Sequence, residues 1–237
     1  MKIYLERPIP SDQSFTVEDD FWSHYLNNVR RVKTGDEIEV VGPDSVVTSV
    51  VRDTDPLTME PKSSRQRDEP SYQLTIAQSI TRKQKFDDLV RRVSEMGATS
   101  ILPLISERTV RKPNKPDKQH RRWKRIMLDS TRITNRDWLP EIQPILSLES
   151  YLDDRVSDDD TIFWGQPPAD SAYDVFEEYS PQRATIVVGP EGGFTEEEKK
   201  QLARTGRGVS LGEANYRAET ASMILTTLWL QQSGQLD

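Results

Sequence analysis

Short apolar runs on both sides of a turn signal mark the first part of the chain. In "GDEIEVVGPDSVVTSVVR" (residues 35–52), β-branched residues flank "GPDS", a pattern typical of two short strands joined by a turn. Such strands favour a small β-barrel or sandwich. Residues 53–71 are polar, contain prolines and lack periodicity, which predicts a long loop or linker. We therefore expect a first domain over residues 1–72 and a second over residues 73–237.

Beyond residue 72 the pattern alternates between strand and helix. "YQLTIAQSI" predicts a strand, and "KQKFDDLVRRVSEMG" has apolar residues at helical spacing before Gly97, a typical helix stop. "TSILPLIS" predicts the next strand and "KQHRRWKRIMLDSTRI" a basic helix. Three further apolar runs, "TIFWG", "ATIVVG" and "GVSLG", each end in glycine. This alternation predicts an α/β fold whose parallel sheet is covered on both faces.

The glycine-rich stretch "GPEGGF" (residues 189–194) is the first candidate for a binding loop. It follows the predicted strand "ATIVV", and Thr195 with Glu198 forms the T-x-x-E capping box of the next helix. The loop therefore lies at the carboxyl end of a parallel strand, where open α/β sheets bind ligands. Its glycines permit positive φ and close approach of a ligand to the backbone. The alternative interpretation is an ordinary tight turn between strand and helix.

A second candidate loop precedes the C-terminal helix. In "GVSLGEANYRAETASMILTTLWLQQ", a glycine-ended strand leads through a loop to Arg217, Glu219 and Thr220 at the start of that helix. An arginine is unusual there because helix N-termini favour acidic residues. The position of Arg217 therefore indicates a binding or catalytic role. The alternative is a surface arginine paired with Glu219 or Glu213.

Composition argues against several classes of protein. The chain has no cysteine, and its two histidines, His24 and His120, are too few and too far apart for a histidine metal site. Neither the G-x-x-x-x-G-K-[ST] nor the G-x-G-x-x-G pattern occurs, which disfavours a P-loop nucleotidase and a dinucleotide-dependent dehydrogenase. The N-terminus lacks the apolar core of a signal peptide, and no run is long enough to span a membrane. We expect a soluble, cytoplasmic protein that binds neither metal nor membrane.

Charge is distributed unevenly along the chain. The net charge is −7, yet residues 82–136 hold 16 Lys and Arg against 6 Asp and Glu, a net of +10. One basic segment in an acidic chain favours a nucleic-acid partner. A solvated helix face with a lysine-rich loop is the alternative.

Three motifs together resemble a known family. "LPLISERTV" (residues 102–110), "VVGPEGGFTEEE" and "LGEANYRAETA" are similar to the ribosomal small subunit methyltransferase E family of the SPOUT superfamily. These enzymes methylate N3 of a uridine in small-subunit (16S) ribosomal RNA. The resemblance covers nearly the whole chain, although "RITNR" (residues 132–136) and "EANY" (residues 213–216) depart from the usual family pattern.

The resemblance implies a fold, a cofactor and a partner. Residues 1–72 would form a PUA-like β-barrel that binds RNA, and residues 73–237 a SPOUT methyltransferase domain with a C-terminal trefoil knot. The chain would act as a homodimer on ribosomal RNA or the small ribosomal subunit, with S-adenosyl-L-methionine bound in the knot. The implied cofactor-binding residues are Val188, Gly189, Pro190, Glu191, Gly192, Gly193, Leu211, Gly212, Tyr216, Arg217 and Thr220.

Two residues are candidates for the chemistry of methyl transfer to a uridine. Arg217 is expected to stabilise negative charge developing on the base. Glu219 is a candidate for the general base, and helix capping is its alternative role. The RNA-binding residues expected from charge and resemblance are Arg30, Arg31, Arg108, Arg111, Lys112, Arg121, Arg122 and Arg136. Two other functions stay open, namely methylation of another RNA such as transfer RNA, and non-catalytic RNA binding or ribosome assembly.

Overall fold

The chain forms two compact units. The computed structural model describes residues 1–110, 112–154, 161–179 and 182–236. The first unit contains Met1–Glu69 together with Thr131–Leu139, and the second contains Pro70–Ser130 and Pro140–Asp237. The sequence pattern indicates only one boundary, after residue 72. It does not anticipate that residues 131–139 pack with the first unit.

The first unit is built on a five-stranded sheet. Its elements are β1 (Lys2–Tyr4), β2 (Phe15–Thr16), α1 (Asp20–His24), a π-helical segment (Tyr25–Arg30), β3 (Glu37–Val41), β4 (Ser45–Thr54) and β5 (Leu57–Gln66). The strand order is β1-β3-β4-β5-β2. β1 pairs with β3 in parallel, and the other neighbours are antiparallel. Buried side chains such as Ile3, Ile38 and Val47 form its core.

The strand β5 corrects the prediction of a loop or linker over residues 53–71. Its ten residues pair antiparallel with β4. Leu57 and Met59 are buried, whereas residues 62–66 are exposed, so the alternation is too short to stand out in the sequence. The register shifts beside Pro61, and such an irregularity is where a strand tolerates proline. The polar composition therefore reflects a largely exposed strand.

Residues 131–139 are attached to the first unit by an ionic cluster around Asp137. The Lys2 Nζ lies 2.6 Å from Asp137 Oδ1, and Arg65 Nη2 lies 3.0 Å from the same oxygen. The side chains of Lys2 and Asp137 are 5% and 4% exposed. Hydrogen bonds from Arg65 and from Lys2 outweigh burial and hold the pKa of Asp137 well below its usual range. The segment is thus fixed by a buried, hydrogen-bonded carboxylate.

The "RITNR" residues contribute to the same attachment. The guanidinium of Arg132 lies 4.5 Å from the centroid of the Tyr25 ring and donates a hydrogen bond to its hydroxyl. The backbone carbonyl of Asn135 accepts a hydrogen bond from Lys2, and that of Arg136 accepts one from the Tyr4 hydroxyl. Burial raises the pKa of Tyr4 well above its usual range. These residues therefore have internal structural partners.

The second unit is an α/β fold. Its elements are β6 (Gln73–Ser79), α2 (Lys83–Met96), β7 (Ser100–Ile105), α3 (Pro116–Thr131), β8 (Glu141–Ile142), β9 (Leu146–Ser147), α4 (Leu148–Asp154), β10 (Thr161–Ser171), α5 (Ala172–Tyr179), β11 (Arg183–Val188), α6 (Glu196–Thr205), β12 (Arg207–Ser210) and α7 (Ala218–Gln232). The strand order is β12-β10-β11-β6-β7-β8, with β9 also paired to β7. Every pair is parallel. The predicted parallel sheet is confirmed.

The parallel sheet determines where a site forms. Strands β6, β7 and β11 lie in the middle of the sheet and are almost wholly buried. Because parallel strands end at the same edge, the loops that follow β6, β7, β11 and β12 emerge together. α7 packs against α2 and α5, so its first turn lies at this edge as well.

We expect Asp137→Asn to destabilise the protein by about 3–5 kcal/mol at neutral pH, because it leaves the buried Lys2 ammonium without its counter-charge. Since the folded pKa of Asp137 is lowered, its contribution is fully present above the unfolded pKa of about 4 and declines as the pH falls from there towards the folded pKa. Urea unfolding of variant and wild type at pH 7 and pH 3 measures both effects.

Asp68→Asn is the matched control for this prediction. Asp68 also lies near Arg65, at 3.9 Å, but its side chain is 90% exposed. Its substitution should change the free energy of unfolding by less than about 0.5 kcal/mol. Equal losses for the two variants would contradict the assignment of Asp137 as the fixing group.

Candidate functional site

The loop after β11 is a tight turn that exposes backbone atoms. The Gly193 amide donates to the Pro190 carbonyl at 2.8 Å. Gly193 has a φ of 66°, a backbone conformation that residues other than glycine rarely adopt. The capping box is confirmed, since the Thr195 amide donates to Glu198 Oε2 at 2.8 Å and the Glu198 amide to Thr195 Oγ1 at 3.3 Å. The turn and the start of α6 therefore fix the loop at both ends.

A second loop joins β12 to α7. Gly212 has a φ of 90°, and its amide donates to Ser210 Oγ at 3.1 Å. Arg217 is the N-cap residue of α7, but its side chain makes no capping hydrogen bond. The loop residues 212–217 are exposed. This loop, like the first, offers backbone atoms at the edge of the sheet.

The two loops line one cavity of about 540 Å³. This volume lies within the range of about 300–1,000 Å³ found for small-molecule sites. The cavity brings together ten of the eleven expected cofactor-binding residues: Val188, Gly189, Pro190, Glu191, Gly192, Gly193, Leu211, Gly212, Tyr216 and Arg217. Thr220 is not among its lining residues, and neither is Glu219.

Gln78 anchors the first loop from beneath and was missed by sequence reasoning. This side chain on β6 is 1% exposed. Its Nε2 donates to the carbonyls of Ser79, Val188 and Gly189 at 2.9, 3.2 and 3.1 Å, while its Oε1 accepts from Ser222 Oγ at 2.6 Å. One buried amide thus links β6, the glycine loop and α7. The only signal in the sequence is a glutamine at the end of the strand "YQLTIAQSI".

The loop after β7 holds the glycine loop from the side. Arg108 Nη1 donates to the carbonyls of Gly192 and Phe194 at 2.9 and 3.4 Å. The Glu107 amide donates to Glu198 Oε1 at 2.7 Å. Arg108, expected from the sequence to bind RNA, therefore contacts the loop backbone, and "SERTV" supports the site structurally.

Three charged residues meet at the site. Lys85 Nζ lies 3.3 Å from Glu191 Oε1 and 3.7 Å from Glu219 Oε1, and it is the second residue that sequence reasoning missed. Burial raises the pKa of Glu191, but a backbone hydrogen bond and Lys85 outweigh it, so the pKa is lowered overall. Glu219 Oε2 is buried and has no hydrogen-bond partner among the described residues. Most buried polar atoms have a hydrogen-bond partner, so this oxygen is unusual.

Arg217 is exposed at the cavity and unpaired. Within the described part of the chain, its guanidinium forms no ion pair with Glu213 or Glu219 and has no hydrogen-bond partner. The structure therefore does not contain the alternative, a surface ion pair of Arg217 with Glu213 or Glu219. A free cation beside the cavity is suited to a ligand that carries negative charge.

The remaining residues expected to bind RNA fall into two groups. Lys112, Arg121 and Arg122 belong to the second unit and line another, larger cavity. Arg30, Arg31 and Arg136 belong to the first unit, where Arg30 and Arg31 are exposed and Arg136 lies 5.1 Å from the centroid of the Trp138 ring. Arg111 lies outside the described residues.

Residues 1–110, 112–154, 161–179 and 182–236 contain neither a candidate metal site nor a candidate membrane span. In these ranges no group of three histidine, aspartate or glutamate side chains could hold a metal ion. No helix there has the length and apolar character needed to cross a bilayer.

Comparison with known proteins shows that the chain is similar to RNA methyltransferases. The family model of the RNA methyltransferase domain matches residues 67–230. The ribosomal RNA small subunit methyltransferase E of Synechocystis is 28% identical over 209 residues, which cover 85% of this chain and 68% of that protein. The protein of the same name from Aquifex aeolicus is 28% identical over 206 residues, covering 84% and 87%.

A solved structure shares the fold. The ribosomal RNA small subunit methyltransferase E of Neisseria gonorrhoeae, bound to S-adenosyl methionine, superimposes with a TM-score of 0.87 at 24% identity. The match covers 97% of this chain and 96% of that one.

Removing the Gln78 amide should loosen the first loop. In Gln78→Leu, the carbonyls of Val188 and Gly189 lose their buried donor, so we expect a loss of about 1–3 kcal/mol in the free energy of unfolding. Amide hydrogen exchange of residues 189–193 should accelerate beyond this global effect.

Gln143→Leu is the control, because Gln143 is also buried and donates to Ser100 Oγ at 2.8 Å, away from the loop. It should destabilise the protein without a specific change in exchange at residues 189–193. Equal exchange in that loop for both variants would refute the anchoring role of Gln78.

Proposed function

The chain belongs to the RNA methyltransferase domain family, and we propose that it transfers a methyl group from S-adenosylmethionine to N3 of a uridine in small-subunit (16S) ribosomal RNA. The observation that carries this proposal is the cavity formed by two glycine-containing loops at the carboxyl edge of a parallel sheet. The names of the similar proteins from Synechocystis and Aquifex aeolicus support the choice of ribosomal RNA.

The residues of the cavity fit the methyl donor. The donor supplies an electrophilic methyl group on a sulfonium and carries no phosphate, so the cavity needs no lysine-bearing phosphate loop. Backbone groups of residues 188–193 and 211–212 would hold it. Trp164 lines the same cavity, and its buried Nε1–H has no acceptor among the described residues. An acceptor atom on a bound molecule would satisfy it. Thr220, which does not line the cavity, we assign to the first turn of α7.

Arg217 and Glu219 are proposed to act on the uridine. N3 carries a proton in the neutral base and becomes nucleophilic only when that proton leaves. Glu219 Oε2, which lacks a partner in the described part of the chain, would accept the proton. The unpaired guanidinium of Arg217 would stabilise the negative charge that develops on the base. Lys85 would hold Glu191 and Glu219 in place through its two contacts.

The RNA substrate sets a further requirement. Because N3 lies on the pairing edge, the target uridine has to be unpaired or flipped out of a helix. We propose that the first unit is a PUA-like barrel that binds RNA through Arg30, Arg31 and Arg136. The exposure of Arg30 and Arg31 supports RNA binding by this unit.

We further propose a trefoil knot around the cofactor, a cytoplasmic homodimer and catalysis without a metal. An apolar groove of about 420 Å³ supports the dimer. It is flanked by Tyr173 and Tyr216, 46% and 44% exposed, and lined by Ile224 and Leu228. It shares Leu211 and Gly212 with the donor cavity. Exposed apolar surface of this kind favours a protein partner, and sedimentation analysis tests whether that partner is a second copy.

The direct test is methylation of unmodified small ribosomal subunits with methyl-labelled S-adenosylmethionine, followed by nucleoside analysis. We expect label in N3-methyluridine. Label in another nucleoside, or in transfer RNA but not ribosomal RNA, would replace the proposed target. Absence of both donor binding and label in a folded protein would favour the non-catalytic RNA-binding alternative.

Arg217→Ala should lower the rate of methyl transfer by about 10²–10³-fold, because the cation proposed to stabilise the developing charge is removed. Donor binding, measured by calorimetry, should change far less than the rate, and the unfolding midpoint should stay the same. Arg204→Ala removes an exposed arginine on α6 and is the control. Unchanged transfer in Arg217→Ala would overturn its assigned role.

Glu219→Gln keeps the shape of the side chain but removes the proton acceptor, so we expect a loss of about 10²–10⁴-fold in kcat. Glu213→Gln, an exposed change in the preceding loop, should leave kcat unaltered. A Glu219→Gln enzyme with normal kcat would show that another group takes the proton.

A further inference from the structure

A second and larger cavity lies beside the donor site. It measures about 1,560 Å³ and is bounded by the end of β6, the start of α2, the chain after β7 and one face of α3. We call it the basic cleft; its charged lining residues are Lys112, Lys115, Lys118, Arg121, Arg122 and Arg125. Its volume exceeds the range of about 300–1,000 Å³ for small-molecule sites. The cleft is therefore large enough for more than one nucleotide.

Four of the six cations that line the cleft have no counter-charge among the described residues. Within the described residues, the side chains of Lys112, Lys115, Lys118 and Arg121 form no ion pair or hydrogen bond. Lys199, by contrast, lies 2.7 Å from Glu196 Oε1. The chain as a whole has a net charge of −7. A group of unpaired cations in one concave surface of an acidic protein indicates an anionic ligand.

The base of the cleft contains a contacting pair of aromatic rings, a hydrogen-bonded arginine and an indole N–H without an acceptor. The rings of Phe86 and Trp123 contact each other with centroids 4.4 Å apart. Asp87 Oδ2 accepts from Arg122 Nε and Nη2 at 3.0 and 2.7 Å, which fixes that guanidinium. Trp123 is 1% exposed, and its Nε1–H has no acceptor among the described residues. The cleft thus combines the guanidinium of Arg122, which Asp87 holds in place, with a Trp123 N–H that could donate to a ligand.

The cleft adjoins the methyl-donor cavity. Arg108 lines the donor cavity, and the next residue, Thr109, lines the cleft. Likewise Lys85 contacts Glu191 at the donor site, and the next residue, Phe86, lines the cleft. A strand bound in the cleft therefore passes close to the reacting centre.

We propose that the basic cleft binds the single-stranded RNA segment that flanks the target uridine. Its phosphates contact Lys112, Lys115, Lys118 and Arg121, while the fixed Arg122 guanidinium sets the path of the strand. A single strand is favoured because the target base is unpaired and because the cleft is concave. This inference rests on the proposed function and specifies where its substrate binds.

The test is salt-dependent binding of a short, uridine-containing single-stranded RNA oligonucleotide, measured without methyl donor. For single strands, the slope of log K against log salt concentration is about −0.7 per phosphate contact. The double variant Lys112→Gln/Lys118→Gln should reduce this slope by about 1.4. Lys118→Gln alone should reduce it by about 0.7, whereas Lys124→Gln, on the same helix but outside the cleft lining, should leave it unchanged.

Methylation kinetics give a second readout. The double variant should raise the KM for RNA and keep kcat at saturating RNA, because only binding contacts are removed. An unchanged slope in the double variant, equal effects of Lys118→Gln and Lys124→Gln, or equally strong binding of an RNA duplex would overturn the proposal. Wild-type protein that binds RNA through the cleft but transfers no methyl group would refute the proposed function alone.

Discussion

The loop at residues 189–193 has to be open to a ligand and still hold one shape. Glycines remove the side chains that would block approach, but they also make the unfolded loop more flexible. Hydrogen bonds from neighbouring residues offset this flexibility. Gln78 binds two carbonyls at the start of the loop, and Arg108 binds two at its end. The loop is thus fixed through its backbone and leaves its free face to the cavity.

The same contacts connect the loop to the groups assigned to catalysis. Gln78 also bonds Ser222 on α7, the helix whose first turn carries Glu219. At the surface of the site, Lys85 bridges Glu191 of the loop and Glu219 of the helix. A buried amide and a partly exposed ammonium therefore set the position of α7 relative to the loop. The proposed electrostatic catalysis requires groups that are held in place in this way.

The regular features of the second unit could be predicted from the sequence. The parallel sheet and the capping box at Thr195 follow from local periodicity and short-range spacing, which need no knowledge of tertiary contacts. The contacts of Gln78 with Val188 and Ser222 could not be predicted from the sequence, because they join residues more than one hundred positions apart. The same holds for Asp137, which pairs with Lys2 across the chain. The strand β5 was missed because only Leu57 and Met59 bury side chains in an otherwise polar run.

Hydrogen exchange with and without S-adenosylmethionine can show whether the two glycine-containing loops hold the methyl donor. Exchange is followed by mass spectrometry on peptides from both loops and from α3. A donor site formed by both loops predicts protection in residues 189–193 and 211–217 together, with no change in the peptide over residues 116–125. Donor binding with protection confined to other parts of the chain would contradict it.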